Sequence, residues 1–426
     1  MTAYAADREG DEVEITPSND VDWFVLDSEL IIFQERRQRL VTLDALSSFV
    51  WQQLWGEQGK DSYPRTTIAA AAAGLASSFG YSTSDAILFV KKCIEQWSNA
   101  DLIGRGSPEE VISSPGSSAC NAKTVASVCS QFRPYWVSGI NVYIEREHSL
   151  LAALEPVLGH LPSTLIHKTF AEVSVKQKGG KLLATDWSGH TTVLRYPEEV
   201  VAWVKLAILE AILAARPSLI AIHAAALSHG DDGVLLVGSS GSGKSTLAAY
   251  LNAHGYALIG EDVVLLNPNL GTISGLPFSF CIKEGSWTTL QRCYPCIDSM
   301  PACTRPDGKR VKYLQPCRTR RSLPSFLLKS IVFPQYDTRG TTQLEPITRV
   351  EALLAILSEA LNDQHRLTRS GFRMLCQALS SGSVWRLHYC DLDAALRCLE
   401  SLQTSLPESR FKPDRSSTSS PEIRYH

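Results

Sequence analysis

The sequence predicts a two-part protein, a small α+β unit followed by a larger α/β domain. Three observations predict it. Apolar runs of period two over residues 21–43 give way to helix-period runs that end near residue 104. A stretch rich in Ser, Gly and Pro follows, GRGSPEEVISSPGSSAC. An apolar run, a glycine-rich loop and a helix-type run then succeed one another over residues 233–253. The chain has 426 residues, room for two or three domains at about 150 residues each.

Each element of the first unit has a local reason. Trp23 and Val25, then Leu30 to Phe33, then Leu40, Val41 and Leu43 form three runs. Asp27-Ser28 and Glu35 to Gln38 separate them as turns, so a three-stranded antiparallel meander is expected. Asp44 caps a helix whose apolar positions Leu46, Phe49, Val50 and Leu54 share one face, and Gly56 closes it. An Ala-rich helix over 66–77 and a third helix over 84–97 follow. Further on, strands are expected over 137–144, 167–176 and 191–195, and a helix over 198–215. The organisation expected is a flexible N-terminus (1–20), the small unit (21–104), a linker (105–126), the large domain (127–406) and a disordered tail (407–426).

Composition excludes several classes. Hydrophobic residues make up 44% and charged residues 20%, which suits a soluble globular chain and not a disordered or fibrous one. Net charge is -3, too near neutral for binding driven by phosphate neutralisation, so no nucleic-acid partner is expected. The longest apolar stretch, 200–227, is broken by Lys205, Glu210, Arg216, Pro217 and His223, so no membrane span is expected. The first residues are acidic and have no apolar core, so no secretory leader is expected. Eleven scattered cysteines suggest reduced thiols and a cytoplasmic setting. Cys293, Cys296 and Cys303 would need a fourth ligand to hold zinc, and no second CxxC or HxxxH supplies one.

The chemistry-bearing motif is Gly238-Ser239-Ser240-Gly241-Ser242-Gly243-Lys244-Ser245-Thr246, which fits G-x-x-x-x-G-K-[ST]. The run 233–237 delivers the loop and a helix follows it, closed by Gly255. The glycines let successive N–H groups turn inward, and the helix N-terminus adds positive potential for phosphates. Lys244 would reach the β- and γ-phosphates of a nucleoside triphosphate, and Ser245 would hold Mg²⁺. Glu261 and Asp262 come next, at the carboxyl end of the apolar run 256–259. One carboxylate there can hold Mg²⁺ while its neighbour accepts a proton. His223 stands alone on an apolar segment, where a histidine is commonly a core residue. Lys309, Arg310 and Lys312 fall in residues 305–321, which carry seven basic side chains and one acidic one. They read either as a solvated loop or as a clamp on substrate or γ-phosphate.

His223, the loop 238–246 and the Glu261-Asp262 pair, in this order and spacing, resemble the HPr serine kinase group. The likeness runs from about residue 219 to 266. It returns at SFCIKEGS (279–286), GKRVKYL (308–314), IVFPQY (331–336) and 384–399, and looks most like the HPr-related kinases. The resemblance implies a P-loop kinase domain with the fold shared by phosphoenolpyruvate carboxykinase. It implies ATP and Mg²⁺ as cofactors. His223 then becomes an active-site residue that interacts with the phosphates or the base, with Lys244 at the phosphates; Glu261 takes the general-base position, and Asp262 joins Ser245 on the metal. The regulatory enzymes carry Asp-Asp, whereas the first position here is Glu261. No segment resembles the one they use for dephosphorylation, so reverse phosphorolysis is not expected. Those kinases are typically oligomeric, which implies a homo-oligomer.

The segment LVTLDALSSFVWQQLWG (40–56) and the three-strand, three-helix order resemble PqqD-like winged-helix domains. Such domains bind the leader of a ribosomally made precursor peptide by adding it as a strand. The resemblance places that strand beside Leu40, Val41, Thr42 and Leu43, packed on the third helix near Leu88, Lys91 and Lys92. That helix carries only Lys91 and Lys92 against Asp85 and Glu95, so a DNA-reading use is disfavoured. Together the two likenesses imply a tailoring kinase for ribosomally synthesised peptides, including lasso peptides. It would phosphorylate a serine or threonine of a captured precursor. The alternatives are a regulatory kinase acting on HPr or another small protein, and a nucleotide-gated peptide-binding module without transfer chemistry.

Overall fold

The computed structural model describes the chain except for residues 1–2, 7–11, 57–65, 106–130, 162–170, 231, 268–269, 306, 320–325, 362–366, 405–422 and 426. The expected linker lies almost wholly outside the described residues.

The first unit begins with β1 (Ala3–Ala6) and β2 (Glu12–Pro17). The meander β3 (Val21–Leu26), β4 (Glu29–Gln34) and β5 (Arg39–Leu43) follows, antiparallel throughout. Then come α1 (Ala45–Trp55), α2 (Ile68–Phe79), α3 (Thr83–Asn99) and β6 (Ile103–Arg105). The three strands and three helices stand where the sequence put them. Asp44 accepts from the Ser47 N–H at 2.8 Å and caps α1, and Gly56 ends it at φ 77°. The N-terminus corrects the expectation of a flexible lead-in, because β2 pairs with both β1 and β6. Glu12 to Ile15 alternate acid and apolar, a strand pattern whose partner β6 lies far along the chain. The core of this unit centres on Trp51, Trp55 and Trp97, all buried, with ring centroids 4.6 to 5.6 Å apart in edge and tilted contacts.

A second layer is a five-stranded sheet of β7 (Phe132–Val137), β8 (Ile140–Glu145), β9 (Ala171–Lys178), β10 (Lys181–Thr185) and β11 (Thr191–Leu194). The helices α4 (His148–Leu158) and α5 (Glu198–Ala215) cover it. The strand expected over 137–144 is in fact a hairpin. Ser138 and Gly139 adopt positive φ, 49° and 98°, and turn the chain inside an apolar run.

The third layer carries the glycine-rich loop. Its elements are β12 (Ile220–Ile222), β13 (Ala224–His229), β14 (Asp232–Val237), α6 (Lys244–Ala253), β15 (Ala257–Gly260), β16 (Val264–Asn267) and β17 (Thr272–Gly275). They continue with β18 (Phe280–Lys283), α7 (Trp287–Leu290), β19 (Cys303–Thr304), β20 (Arg310–Leu314), β21 (Phe326–Tyr336), β22 (Gln343–Pro346) and α8 (Arg349–Ser358). Last come α9 (Arg369–Ser381), β23 (Ser383–Tyr389), α10 (Leu392–Thr404) and β24 (Ile423–Tyr425). The main sheet has nine strands, running β12-β16-β17-β21-β14-β13-β15 with β22 and β23 joined through β21. Among the described strands, β14, β21 and β23 are the parallel neighbours of this sheet, so it is mixed. Its apolar faces form two cores, one under α8 and α9 and one under α6 and α10. Among the described residues, no helix is long and apolar enough to cross a membrane.

The two predicted parts share a core. The meander puts Leu26, Ile31, Phe33 and Leu40 against α8 and α9, and the Phe33 and Phe372 rings stack with centroids 5.2 Å apart. Around them Arg373 grips the buried Asp22 carboxylate at 2.9 to 3.1 Å, and Arg349 holds Asp27 at 2.6 Å. The tail expected to be disordered also supplies a strand, since β24 pairs antiparallel with β5. Its three residues, Ile423, Arg424 and Tyr425, follow a polar segment, and the pairing uses main-chain groups that no side-chain pattern announces.

Candidate functional site

Strand β14 ends at Val237 and delivers residues 238–243 to the N-terminus of α6. Gly238, Gly241 and Gly243 adopt φ of 155°, 102° and 94°. Gly243 also has no room for a side chain, because a Cβ there would meet the Tyr389 hydroxyl at 2.0 Å. The Lys244 ammonium is buried and folds back on its own loop, donating to the carbonyls of Gly238 and Ser239. Burial pulls it below the ordinary lysine range, while the carboxylates of Glu359, Glu261 and Asp262 act the other way. Lys283 of β18 reaches across to Ser240 Oγ at 3.1 Å. The loop therefore offers glycine-permitted turns, a helix N-terminus and two ammonium groups, a set suited to phosphates.

The turn between β15 and β16 places Glu261 and Asp262 beside this loop. Glu261 is 2% exposed, and its Oε2 is buried with no hydrogen-bond partner. Burial pushes its carboxyl up to about 7, against the opposing effect of a hydrogen bond with the Ser245 hydroxyl. An orphaned carboxylate oxygen next to a loop hydroxyl is a hard-oxygen donor set that fits Mg²⁺. Asp262 has a different setting. Its φ is 70°, a left-handed conformation costly for a residue with a side chain. Lys205 of α5 sits 2.9 Å from one carboxylate oxygen and His223 Nε2 lies 3.5 Å from the other. The Lys205 charge foremost holds the Asp262 carboxyl down at about 2.

His223 fills the break between β12 and β13. Its backbone N–H donates to the Glu359 carbonyl at 2.8 Å, and its Nδ1 lies 3.1 Å from Glu359 Oε2. Glu359 thus fixes both the chain and the ring, which turns Nε2 toward Asp262. Sequence reasoning did not find Glu359, Lys205, Lys283 or Arg305. Lys205 lay in a correctly expected helix, but nothing local says which face meets the β15–β16 turn.

Two cavities meet at this cluster. One, of about 960 Å³, holds the glycine-rich loop, Glu261 and Lys283. The other, of about 920 Å³, runs along α5 past Val201, Leu206 and Leu209 to Ala360 and Leu361. His223, Asp262, Cys281 and Arg305 line both, so they form the partition. Glu261 lines only the first.

The basic cluster expected to clamp phosphates lies elsewhere. Lys312 is buried and donates to the Ile297 carbonyl at 2.6 Å, Arg310 pairs with Glu284, and Lys309 pairs with Asp307 at 3.2 Å. None of the three lines either cavity: Arg310 and Lys312 face the Trp287 ring of α7, and Lys309 is held by Asp307. Arg305, at the start of that basic stretch, takes the cavity position instead. Arg320 and Arg321 lie outside the described residues. Cys293 lines the first cavity and Cys303 the second, while Cys296 is exposed, so the three thiols do not share one cavity. Among the described residues there is no group of three or more His, Cys, Asp and Glu side chains that could hold a metal by themselves. In the first unit, Leu40, Val41, Thr42 and Leu43 are buried, and β5 presents only its backbone edge. Leu88, Lys91 and Lys92 stand on the exposed face of α3, Leu88 being 55% exposed.

No protein-family model matches the chain, and a search of curated proteins finds no match.

Proposed function

We propose that the chain is a cytoplasmic ATP-dependent kinase that phosphorylates a serine or threonine of a ribosomally made precursor peptide. The observation that carries this reading is the partition of two cavities by Asp262 and His223. An in-line displacement needs the leaving and attacking oxygens on opposite sides of phosphorus. The triphosphate lies in the first cavity, on the glycine-rich loop, with Lys244 turned from its own carbonyls to the phosphates and Lys283 beside it. The hydroxyl acceptor enters from the second cavity.

The geometry favours an allocation opposite to the one the resemblance implied. Glu261 and Ser245 would hold Mg²⁺, which would supply positive charge to offset that of the phosphates. Asp262, facing the second cavity, orients the acceptor hydroxyl and takes its proton as the new oxygen–phosphorus bond forms and the bond to ADP breaks. A carboxylate as acidic as Asp262 suffices, because a loose phosphoryl-transfer transition state asks little of its base. Lys205 and the His223–Glu359 pair hold that carboxylate in place. The apolar wall of Val201, Leu206 and Leu209 favours a hydroxyl flanked by apolar residues.

Calorimetric titration of ADP with and without Mg²⁺ tests the allocation. Lys244→Ala is expected to lose nucleotide affinity. Glu261→Gln is expected to lose the Mg²⁺ enhancement, and Asp262→Asn to keep it. Loss of the Mg²⁺ effect in Asp262→Asn alone would restore the first allocation.

A further inference from the structure

We propose that Tyr336 and Tyr389 form the nucleoside end of the first cavity, with the base of the phosphate donor stacked on the exposed ring of Tyr336. The inference rests on the reading above that phosphates occupy the glycine-rich loop. It adds that the donor is a nucleotide held by its base, and not a bare polyphosphate.

Strands β14, β21 and β23 run parallel, and ligands of such strands lie beyond their carboxyl ends. β14 ends in the glycine-rich loop, and Tyr336 and Tyr389 are register partners at the ends of β21 and β23. Both line the first cavity and neither lines the second. Their ring centroids are 5.3 Å apart, with the ring planes inclined at 56°. Tyr389 is the support: it is 2% exposed, and its hydroxyl donates to the Gly243 carbonyl at 3.2 Å. Tyr336 is the open member, 52% exposed. Its backbone fixes it beside the loop, since its N–H donates to the Ser242 carbonyl at 3.2 Å. A Cβ on Gly243 would meet the Tyr336 Cβ at 3.2 Å. A rigid aromatic ring held half in water next to a phosphate loop presents a π-face that a base gains by covering.

The direction of the donor follows from the cavity. Its γ-phosphate has to meet Asp262 and His223, so the nucleoside lies in the part of the first cavity that the second does not share. The stacked rings of Tyr250 and His254 also lie there. However, Lys244 opens α6 and His254 caps its far end, about 15 Å along the axis. That is out of reach of a base joined to the phosphates through one ribose, and the Tyr250 hydroxyl is engaged by Asp393. Tyr336 stands next to the loop itself.

Calorimetry of the full chain with Mg²⁺ tests this, with ADP and inorganic pyrophosphate as titrants. Wild type, Tyr336→Ala and Tyr336→Phe are compared. Alanine keeps the Cβ and the backbone bond to Ser242. Tyr336→Ala should weaken ADP by about tenfold or more and leave pyrophosphate within about twofold, while Tyr336→Phe keeps both. Unchanged ADP affinity in Tyr336→Ala, a matching loss of pyrophosphate, or an equal loss of ADP in Tyr336→Phe would each overturn the proposal. A wild type that binds neither titrant would overturn this inference and the phosphate reading of the loop together. Tyr336-dependent ADP binding without phosphoryl transfer would sink the kinase reading alone. Phosphoryl transfer with ADP affinity indifferent to Tyr336→Ala would sink this one alone.

Discussion

Glu261 and Asp262 are chain neighbours with opposite electrostatics. One is buried and pushed up to about 7, the other is held at about 2 by Lys205. The ordinary value for glutamate is 4.5, so folding favours the protonated form of Glu261. That contribution to stability is complete below the ordinary value and is lost as pH rises through about 7. At about 1.4 kcal/mol per unit, the loss by pH 8 is on the order of 3 kcal/mol. Glu261→Gln removes it. The variant should therefore be more stable than wild type at pH 8, with a much smaller difference at pH 5. Urea unfolding at the two pH values checks this, and an equal difference at both would contradict the burial argument. At this scale the sequence was readable where residues sit close along the chain. His223, Lys244, Glu261 and Asp262 follow one another along the sequence and meet at one cavity. Lys205 and Glu359 were not readable, because their contacts span 57 and 136 positions.

The β15–β16 turn that carries both carboxylates is held against β17 by an approach that only glycine permits. A Cβ on Gly275 would meet Gly260 Cα at 2.6 Å, and one on Gly260 would meet Gly275 Cα at 2.8 Å. Gly275→Ala should therefore cost about 1–3 kcal/mol and shift Glu261 from Ser245. Gly340→Ala, whose Cβ meets nothing closer than 3.6 Å, serves as the control and should leave stability nearly unchanged. Urea unfolding with ADP·Mg²⁺ titration separates the two variants, and equal behaviour would remove the role given to this approach. Elements with their own caps and periodicity, such as α1 with Asp44 and Gly56, were legible from sequence. The β7–β8 hairpin was not, because Ser138-Gly139 turns an apolar run without breaking its pattern. Strands β2 and β24 were hidden for another reason: each is defined by a distant partner edge.

At the scale of the whole molecule, the two parts predicted from sequence are packed together. One face of the meander covers the three tryptophans, and the other presents Phe33 to Phe372. The order of parts was legible, but their docking was not. Two-sided burial of Leu30 to Phe33 appears in the sequence only as an unusually apolar strand. The docking sets β5 and its edge on the same body as the two cavities.

The proposed reaction is transfer of a phosphoryl group across the Asp262–His223 partition to a peptide hydroxyl. Its most direct test is mass spectrometry of a serine- and threonine-bearing peptide library incubated with the full chain, Mg²⁺ and ATP. Asp262→Asn is run beside the wild type. The expected result is the mass gain of one phosphoryl group on hydroxyl peptides with apolar neighbours, lowered by about a hundredfold or more in rate in Asp262→Asn. Bound ATP with no phosphorylated peptide, or equal transfer by the variant, would contradict it.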